Sequence, residues 1–336
     1  MTNKNKVVIS ILLSLIIIGI GTSIGSYNIN LVEIISILLH KCFNIPIMNS
    51  IDSQNIGIVW TLRLPRVLLA FLVGGCLATS GSVVQSILKN QLASPYTLGV
   101  SSGSSLGAGL IIVSGISIPF IGGFTLPLVG FLFGLFTVFA VIGFSSKIDK
   151  TMSNNTVILS GMVLSLFVNA LLTTLNALFA QDMKSISLWQ MGSFSMKGWS
   201  YVHLIIPFAI IGMIGVLRYT NEMDIITFGE EQAKAMGVET SKVKKELFIL
   251  SAILTGGAIS LSGTIGFIDL IAPHVVRKIF GPKHKYVVPM SFLYGGSFMV
   301  IADIVARTII IPSELPVGAV TALIGAPFFA YVYFKR

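Results

Sequence analysis

Charged side chains are scarce in this chain of 336 residues. Lys and Arg together number 22 and Asp and Glu 13, whereas hydrophobic residues make up 54% of the sequence and the mean hydropathy is +0.90. Soluble domains of this length carry far more charge, so a soluble fold is excluded. The 33 glycines among Leu, Ile, Val and Phe are instead typical of membrane helices, in which small residues let backbones pack closely.

Cysteine and the usual catalytic motifs are nearly absent as well. Cys42 and Cys76 are the two cysteines, and neither has the spacing of a metal ligand or a redox pair, so we expect both to be inert. The sequence has no G-x-x-x-x-G-K-[ST] loop, no nucleophile elbow and no H-E-x-x-H motif. We therefore expect no Walker-type ATP site in this chain, no enzymatic activity, no metal site and no cofactor.

Long apolar runs occupy most of the remaining sequence. A spanning helix needs roughly 20 mostly apolar residues, and ten runs approach this: 7–26, 57–86, 93–115, 121–145, 156–180, 201–219, 247–267, 269–281, 287–306 and 316–334. They predict an all-α, polytopic membrane protein whose first run is a transmembrane helix rather than a cleavable signal. The eighth run is short and polar at its edges, so it is the weakest candidate for a complete span. Leu31 to Cys42 predicts an amphipathic outer helix.

The basic residues predict an orientation for these helices. With the N-terminus in the cytoplasm, sixteen Lys and Arg residues fall inside and six outside, as the positive-inside rule requires. The six outside are Lys41, Arg63, Arg66, Lys184, Lys197 and Arg307. Membrane topology thus accounts for the net charge of +9, and no nucleic-acid partner is indicated.

Two of the outside arginines belong to one motif, Arg63-Leu64-Pro65-Arg66. One interpretation is that they snorkel to lipid headgroups at the outer interface. The other is that a proline-fixed turn presents planar guanidinium groups to the carboxylates of an acidic soluble partner. The spacing of the motif is compatible with both.

Several runs contain helix-breaking residues at membrane depth, namely Ser94-Pro95, Ala272-Pro273 and Gly325-Ala326-Pro327. Non-helical backbone is tolerated there only where protein or a water-filled cavity satisfies the freed polar groups. We expect broken helices at these points, and together they favour a transporter over simple proline-kinked packing.

Three acidic residues lie near membrane depth: Asp269, Asp303 and Glu314. Asp303 precedes Arg307 by four residues, a helical spacing that predicts an ion pair. Asp269 has no partner nearby in the sequence. An ion-coupled secondary transporter that uses one of these carboxylates is therefore an alternative to be tested.

Charge is concentrated in one internal stretch, residues 221–246, called the polar segment below. It holds ten of the 35 charged residues of the chain. Gly229, Ala233 and Gly237 predict a short helix with a smooth small-residue face, flanked by Glu230 and Glu231. Such a segment in an otherwise apolar chain indicates a docking surface for a partner in water.

In the order and content of its motifs, the chain from about Thr61 onward resembles a known family. The motifs are RLPRVLLAFLVGGCLATSGSVVQSILKNQLASPYTLGVSSGSSLG, ILSGMVLSLFVNALL, LWQMGSFS, FGEEQAKAMGV, GTIGFIDLIAPHVVR, ADIVAR and ELPVGAVTALIGAPFF. They resemble the FecCD-type permease subunits of binding-protein-dependent ABC importers for iron–siderophore, heme and cobalamin.

The resemblance implies an architecture and a set of partners. We expect residues 1–336 to form one transmembrane permease domain of about ten helices, with the ABC importer type II permease fold. Expected partners are two ATPase subunits, an extracytoplasmic solute-binding protein and a second permease subunit, all at the plasma membrane of a bacterium. Both termini are then cytoplasmic, membrane lipid surrounds the dimer, and the cargo is a metal chelate, an iron–siderophore first, with heme or cobalamin as alternatives.

The resemblance also implies roles for particular residues. Arg63, Arg66 and Arg307 match arginines that face glutamates of the binding protein. The polar segment matches the coupling segment that transmits ATPase motion, with Gly229, Ala233 and Gly237 allowing close approach and Glu230 and Glu231 contacting the ATPase.

A cytoplasmic gate is implied at two loops, and its residues in this sequence are Asn90, Leu92, Ser153, Asn154 and Asn155. Two positions depart from the family pattern. Gln91 replaces the proline of the usual Asn-Pro-Leu-Ala, and Asp269 stands where glycine is common. The effect of each change on gating is left open by the sequence.

Overall fold

The computed structural model describes residues 2–25, 29–46 and 52–334, and the regular structure within them is helical. Fifteen α-helices follow one another along these residues: α1 (Asn3–Ser23), α2 (Leu31–Phe43), α3 (Ser53–Gly57), α4 (Leu64–Ile87), α5 (Val100–Ser114), α6 (Thr125–Ile148), α7 (Asn154–Leu178), α8 (Met183–Gln190), α9 (Trp199–Arg218), α10 (Thr220–Thr227), α11 (Glu230–Ala235), α12 (Thr240–Ser262), α13 (Ile268–Phe280), α14 (His284–Thr308) and α15 (Val317–Phe334). Ser26, Lys335 and Arg336, which entered the span and charge predictions, lie outside the described residues.

Each of the ten predicted apolar runs overlaps one helix of 13 or more residues, and the predicted outer helix is α2. Among the described residues, seven helical stretches are long and apolar enough to cross a membrane, and α5 is apolar but shorter. Helix α15 is also apolar, over Val317–Tyr331. The eighth run, expected to be the least complete, forms α13 with 13 residues. At 1.5 Å per residue it extends about 20 Å, less than the roughly 30 Å of a bilayer core.

Helix α4 forms the centre of the bundle. A π-helical turn, Ile58–Arg63, joins α4 to α3. Within the continuous helical stretch Ser53–Ile87, 89% of the most apolar part is buried by the surrounding helices. Its closest neighbour is α14, where Gly74 and Gly295 face each other. A Cβ on Gly74 would lie 2.4 Å from the Gly295 carbonyl oxygen, so glycine is required for this contact.

The chain breaks at Ser94-Pro95 as predicted, but the other two predicted breaks are wrong. A 3-10 turn, Pro95–Leu98, separates α4 from α5. Pro273 and Pro327 instead lie inside the continuous helices α13 and α15. The helical structure is interrupted instead at residues 263–267, between the end of α12 and the start of α13.

A side chain from α4 replaces the helical hydrogen bond that α13 lacks at Pro273. Proline has no N–H to donate to the Asp269 carbonyl one turn earlier. Gln85 Nε2 of α4 donates to that carbonyl at 3.3 Å, so a side chain from a neighbouring helix replaces the helical bond.

The bundle has two ends that differ in chemistry. At the polar-segment end, Lys6 of α1 reaches the Ile279 carbonyl at 2.6 Å, and α10 contacts the start of α14. At the opposite end, called the arginine end, Arg63 contacts the carbonyl of Ser23, the last residue of α1, and Arg66 contacts Asp303 near the end of α14.

Candidate functional sites

Arg66 and Asp303 form the centre of a charged cluster at the arginine end. Arg66 Nε lies 3.0 and 3.1 Å from the two Asp303 carboxylate oxygens, and its Nη2 donates to Oδ1 at 2.8 Å. Arg66 Nη1 donates to Glu314 Oε1 at 2.8 Å. A planar guanidinium held by two carboxylates has little freedom, so Arg66 is fixed in place.

Arg307 and Arg63 surround this pair. Arg307 Nε lies 3.5 Å from Asp303 Oδ2, which confirms the ion pair predicted from the helical spacing. Arg307 Nη2 also donates to the Gly21 carbonyl at 2.5 Å, and Arg63 Nη1 donates to the Ser23 carbonyl at 2.7 Å. Arg63 and Arg307 are only 7% and 8% exposed. Protein oxygens of this chain therefore hold the guanidinium groups of the Arg-Leu-Pro-Arg motif, which disfavours the snorkelling interpretation.

A cavity of about 550 Å³ opens beside the cluster. Its charged lining residues are Arg63, Arg66, Lys197, Arg307 and Glu314. Burial lowers the pKa of Lys197 to about 8. Burial acts to raise the pKa of Glu314, but the hydrogen bond and charge of Arg66 outweigh it and lower that pKa. Four basic groups against one acidic group make the cavity wall favourable to a negatively charged partner.

The first predicted gate loop follows α4. The Asn90 side chain accepts the Leu92 backbone N–H at 2.9 Å, and the Asn90 carbonyl accepts that of Ala93 at 3.0 Å. These bonds close a tight turn that leaves Leu92 exposed. Gln91 lies in this turn, so the turn forms with glutamine at the position where the resemblance implied proline.

Asp269 anchors the end of this loop. The Ser94 hydroxyl donates to Asp269 Oδ2, and both residues are buried. Oδ1 of the same carboxylate has no hydrogen-bond partner among the described residues. Asp269, for which the sequence offered no local partner, thus joins the start of α13 to the loop that precedes α5.

The second predicted gate loop lies between α6 and α7. The Asp149 carboxylate accepts the backbone N–H groups of Thr151 at 2.8 Å and Ser153 at 2.9 Å, and the Thr151 hydroxyl at 2.6 Å. The Thr151 and Ser153 hydrogen bonds hold the pKa of Asp149 well below its usual range. The turn delivers Ser153, Asn154 and Asn155 to the first turn of α7.

The polar segment contains two short helices, α10 and α11, and the first turns of α12. Glu231 and Gly237 are exposed, as a docking surface requires.

Ala233 is fully buried, so its prediction as part of an outward small-residue face is wrong: its methyl group belongs to the core of the chain itself. Glu230 pairs with Lys244 of α12, so its carboxylate is engaged within the chain. Phe228 (76% exposed) and Met236 (64% exposed) supply the large apolar part of the outer surface instead.

Sequence reasoning missed Lys244 as a structural residue and counted it among the cytoplasmic charges. Its side chain is fully buried. A signal was present, because Lys244 precedes Phe248, Ser251 and Thr255 by four, seven and eleven residues, the spacing of one helix face. All three of those residues are buried.

Comparisons with known proteins agree with this architecture. The profile of the FecCD transport family matches residues 9–335. The chain is 42% identical over 317 residues to the uncharacterized ABC transporter permease protein YvrB of Bacillus subtilis, covering 94% of this chain and 90% of that protein. It is 38% identical over 282 residues to the cobalamin import system permease protein BtuC of Halobacterium salinarum, covering 83% and 74%.

A solved structure confirms the predicted fold. It is an ABC transporter of metal-chelate type in an inward-facing conformation, and the two structures superpose with a TM-score of 0.84 at 32% identity. The superposition covers 97% of this chain and 98% of the other. This chain therefore has the all-α, polytopic fold of a type II ABC importer permease, and it belongs to the FecCD transport family.

Proposed function

We propose that this chain is the permease subunit of an importer that moves a metal chelate into the cytoplasm, driven by separate ATPase subunits and fed by a solute-binding protein. The observation that carries the proposal is the chemical contrast between its two ends. One end holds a fixed arginine–carboxylate cluster beside a cavity, and the other exposes a short helix pair. Membership of an ABC permease family makes an importer the function that uses both ends.

The arginine end is the proposed docking site for the binding protein. Arg63, Arg66 and Arg307 are held by protein oxygens, so little conformational entropy is lost when a partner carboxylate arrives. Glu314 occupies one edge of Arg66 and is partly exposed. A glutamate of the partner would therefore compete with Glu314 for the Arg66 Nη1 group.

The polar segment, residues 221–246, is the proposed coupling segment for the ATPase. Its exposed side chains combine the apolar groups of Phe228 and Met236 with the charge of Glu231. Apolar anchors surrounded by charge are typical of protein interfaces. In this arrangement Glu231 and Gly237 contact the ATPase, whereas Glu230 acts through Lys244 and Ala233 through the packing of α11.

Several further parts of the proposal follow from the same arrangement. Both termini lie in the cytoplasm, at the plasma membrane of a bacterium, and residues 1–336 act as one permease domain. The loops at 90–95 and 153–155 form the cytoplasmic gate. A second permease subunit covers the exposed apolar face of α7, where Leu159, Val163, Leu166 and Phe167 project outward.

An iron–siderophore is the first cargo to test, with heme and cobalamin next. A relative at 38% identity is a cobalamin import permease, and the superposed structure is of metal-chelate type. These chemistries share a large, mostly organic ligand wrapped around a metal ion.

The ion-coupled alternative is weakened by the ion pairs of two of its three carboxylates. Asp303 is bound by Arg66 and Arg307, and Glu314 is bound by Arg66. The oxygens of both carboxylates are thus engaged by guanidinium groups of the same chain, and neither is free to bind a coupling ion. Asp269 is left as the candidate for that mechanism, with a serine hydroxyl as its partner.

Reconstitution tests the proposal directly. The chain would be incorporated into proteoliposomes with candidate ATPase and solute-binding protein subunits from the same organism. Uptake of ferric siderophores, heme and cyanocobalamin would then be measured with and without MgATP. We expect uptake of one chelate class that requires MgATP and the binding protein. Uptake driven by a proton or sodium gradient without the ATPase would establish the ion-coupled alternative.

A further inference from the structure

Lys244, near the start of α12, is a buried cation whose hydrogen bonds are all satisfied. Its ammonium group donates to the Met152 carbonyl at 3.1 Å, to Asn154 Oδ1 at 3.0 Å and to the Glu230 carboxylate. An ammonium has three N–H donors, and these three acceptors use them all. The side chain is fully buried, so water does not substitute for a lost acceptor.

The three acceptors come from parts of the chain that are far apart in sequence. Glu230 begins α11 in the polar segment, Met152 lies in the loop between α6 and α7, and Asn154 begins α7. A buried charge is tolerated only while its partners keep their geometry, and the loss of one partner is strongly unfavourable. Lys244 therefore fixes the position of α11 relative to the start of α7.

The backbone at Met152 is shaped for this contact. Met152 has a φ of 51°, in the left-handed region that a residue with a Cβ adopts reluctantly. The hydrogen bonds of Thr151 and Ser153 to Asp149 hold the turn in this conformation. A backbone conformation of this kind persists only when its surroundings support it. In this conformation the Met152 carbonyl accepts a hydrogen bond from the buried Lys244 ammonium.

We propose that Lys244 is a positioning residue that makes the polar segment and the start of α7 move as one unit. The inference rests on the proposed function, in which the ATPase moves α11 and α7 begins beside the gate. Movement of α11 relative to the start of α7 would separate Glu230 or Asn154 from the buried ammonium. The low-energy response to a push on α11 is therefore a joint movement of α11, the 149–153 turn and the first turn of α7.

The distance between the two elements tests the link in the full-length chain. Lys150 in the turn and Lys234 in α11 are both exposed, so nitroxide labels at Lys150→Cys and Lys234→Cys report their separation. The background carries Cys42→Ser and Cys76→Ala, and the protein is held in lipid nanodiscs. We expect a narrow distance distribution in the unsubstituted Lys244 protein and a wider or bimodal one in Lys244→Met. Lys147→Met, which removes an exposed lysine from the last turn of α6, serves as the matched control and should leave the distribution unchanged.

A functional measurement separates coupling from packing. In the complex with the ATPase, we expect Lys244→Met to reduce stimulation of MgATP hydrolysis by the binding protein about three- to thirtyfold, the range for residues that carry coupling. Unstimulated hydrolysis and the Lys147→Met complex should stay near wild type. Glu230→Gln, which alters a partly exposed partner, should act in the same direction, and adding it to Lys244→Met should cause no further loss.

The outcomes distinguish this inference from the proposed function. If Lys244→Met and Glu230→Gln both keep the wild-type distance distribution and stimulation, the positioning role is wrong while the importer function stands. Should Lys244→Met not fold, Glu230→Gln alone decides in the same way. If the wild-type complex shows neither stimulation by a binding protein nor MgATP-dependent uptake, it is the proposed function that fails.

Discussion

One carboxylate oxygen of Asp224 makes two hydrogen bonds with His284, one to its ring and one to its backbone N–H. Asp224 Oδ1 lies 2.6 Å from His284 Nδ1 and accepts the His284 backbone N–H at 2.9 Å. Nε2 of the same ring lies 2.6 Å from the Ser86 hydroxyl at the end of α4. Because His284 is the first residue of α14, the pair joins the polar segment to two central helices at one point.

Asp224→Asn should destabilise the folded chain by about 1 kcal/mol, because a neutral amide oxygen replaces a charged acceptor that serves both the His284 ring and its backbone N–H. The substitution conserves size and leaves α10 otherwise unchanged. Thermal unfolding in detergent should show a lower Tm for Asp224→Asn. Glu239→Gln, an exposed acid in the same segment, should leave the Tm unchanged. Equal shifts for both variants would contradict the capping role of Asp224.

The lowered pKa of Lys197, at the arginine end, predicts that the stability of the folded chain depends on pH. An ordinary lysine titrates near 10.5, whereas burial lowers the pKa of Lys197 to about 8. Between these values the unfolded chain binds the proton and the folded chain does not, so the stability of the wild type rises with pH in this window. Below about 8 the cost of the desolvated ammonium is fully present.

Lys197→Met should therefore raise the Tm relative to wild type at about pH 7, and this advantage should shrink as the pH approaches 10. The uncharged lysine still donates to the Leu261 carbonyl, so the two proteins converge at high pH. Lys184→Met, an exposed substitution in α8, should shift the Tm by the same amount at every pH. A constant offset for Lys197→Met would show that the lowered pKa does not contribute to stability.

Much of the fold was predictable because the bilayer imposes length and apolarity on each spanning helix. The ten runs, the outer helix and the break at Ser94-Pro95 all follow from local composition. The breaks expected at Pro273 and Pro327 failed for a non-local reason. At Pro273, a glutamine from α4 supplies the missing hydrogen bond, and a sequence window around the proline does not contain it.

The sites divide in the same way. The Asp303–Arg307 pair was predictable because it is local to one helix turn. Arg66–Asp303 joins residues on different helices, and so does the Glu230–Lys244 pair. Ala233 was assigned to the wrong face because a six-residue helix gives too little periodicity to show which side is buried.

Gly81 is a sensitive position in the packing of α4 against α13. A Cβ on Gly81 would lie 2.0 Å from the Asp269 carbonyl oxygen, which is backbone that does not yield easily. Gly81→Ala should therefore cost about 1–3 kcal/mol or prevent folding, as overpacking does. Gly143→Ala in α6 meets nothing within 4 Å and is the matched control. Size-exclusion profiles and Tm of the two variants in detergent should differ sharply, and similar behaviour would contradict the close approach.

Substitution of Glu314 should raise the affinity of this chain for the solute-binding protein. Its carboxylate accepts from Arg66 Nη1 at 2.8 Å, on the rim of the arginine-end cavity. If a glutamate of the binding protein uses that group, Glu314→Gln weakens the competing internal bond and removes one repelling negative charge. The Asp303 pair still holds Arg66 in place, so the site keeps its shape.

Glu314→Gln should therefore tighten binding of the solute-binding protein up to about fivefold, the range that corresponds to a partly exposed charge interaction. Biosensor measurements at low and physiological salt would show the gain, and it should be larger at low salt. Asp182→Asn before α8 removes an equal charge away from the arginines and should have little effect. Weaker binding of Glu314→Gln would mean that Glu314 supports the docking surface rather than competing with the partner.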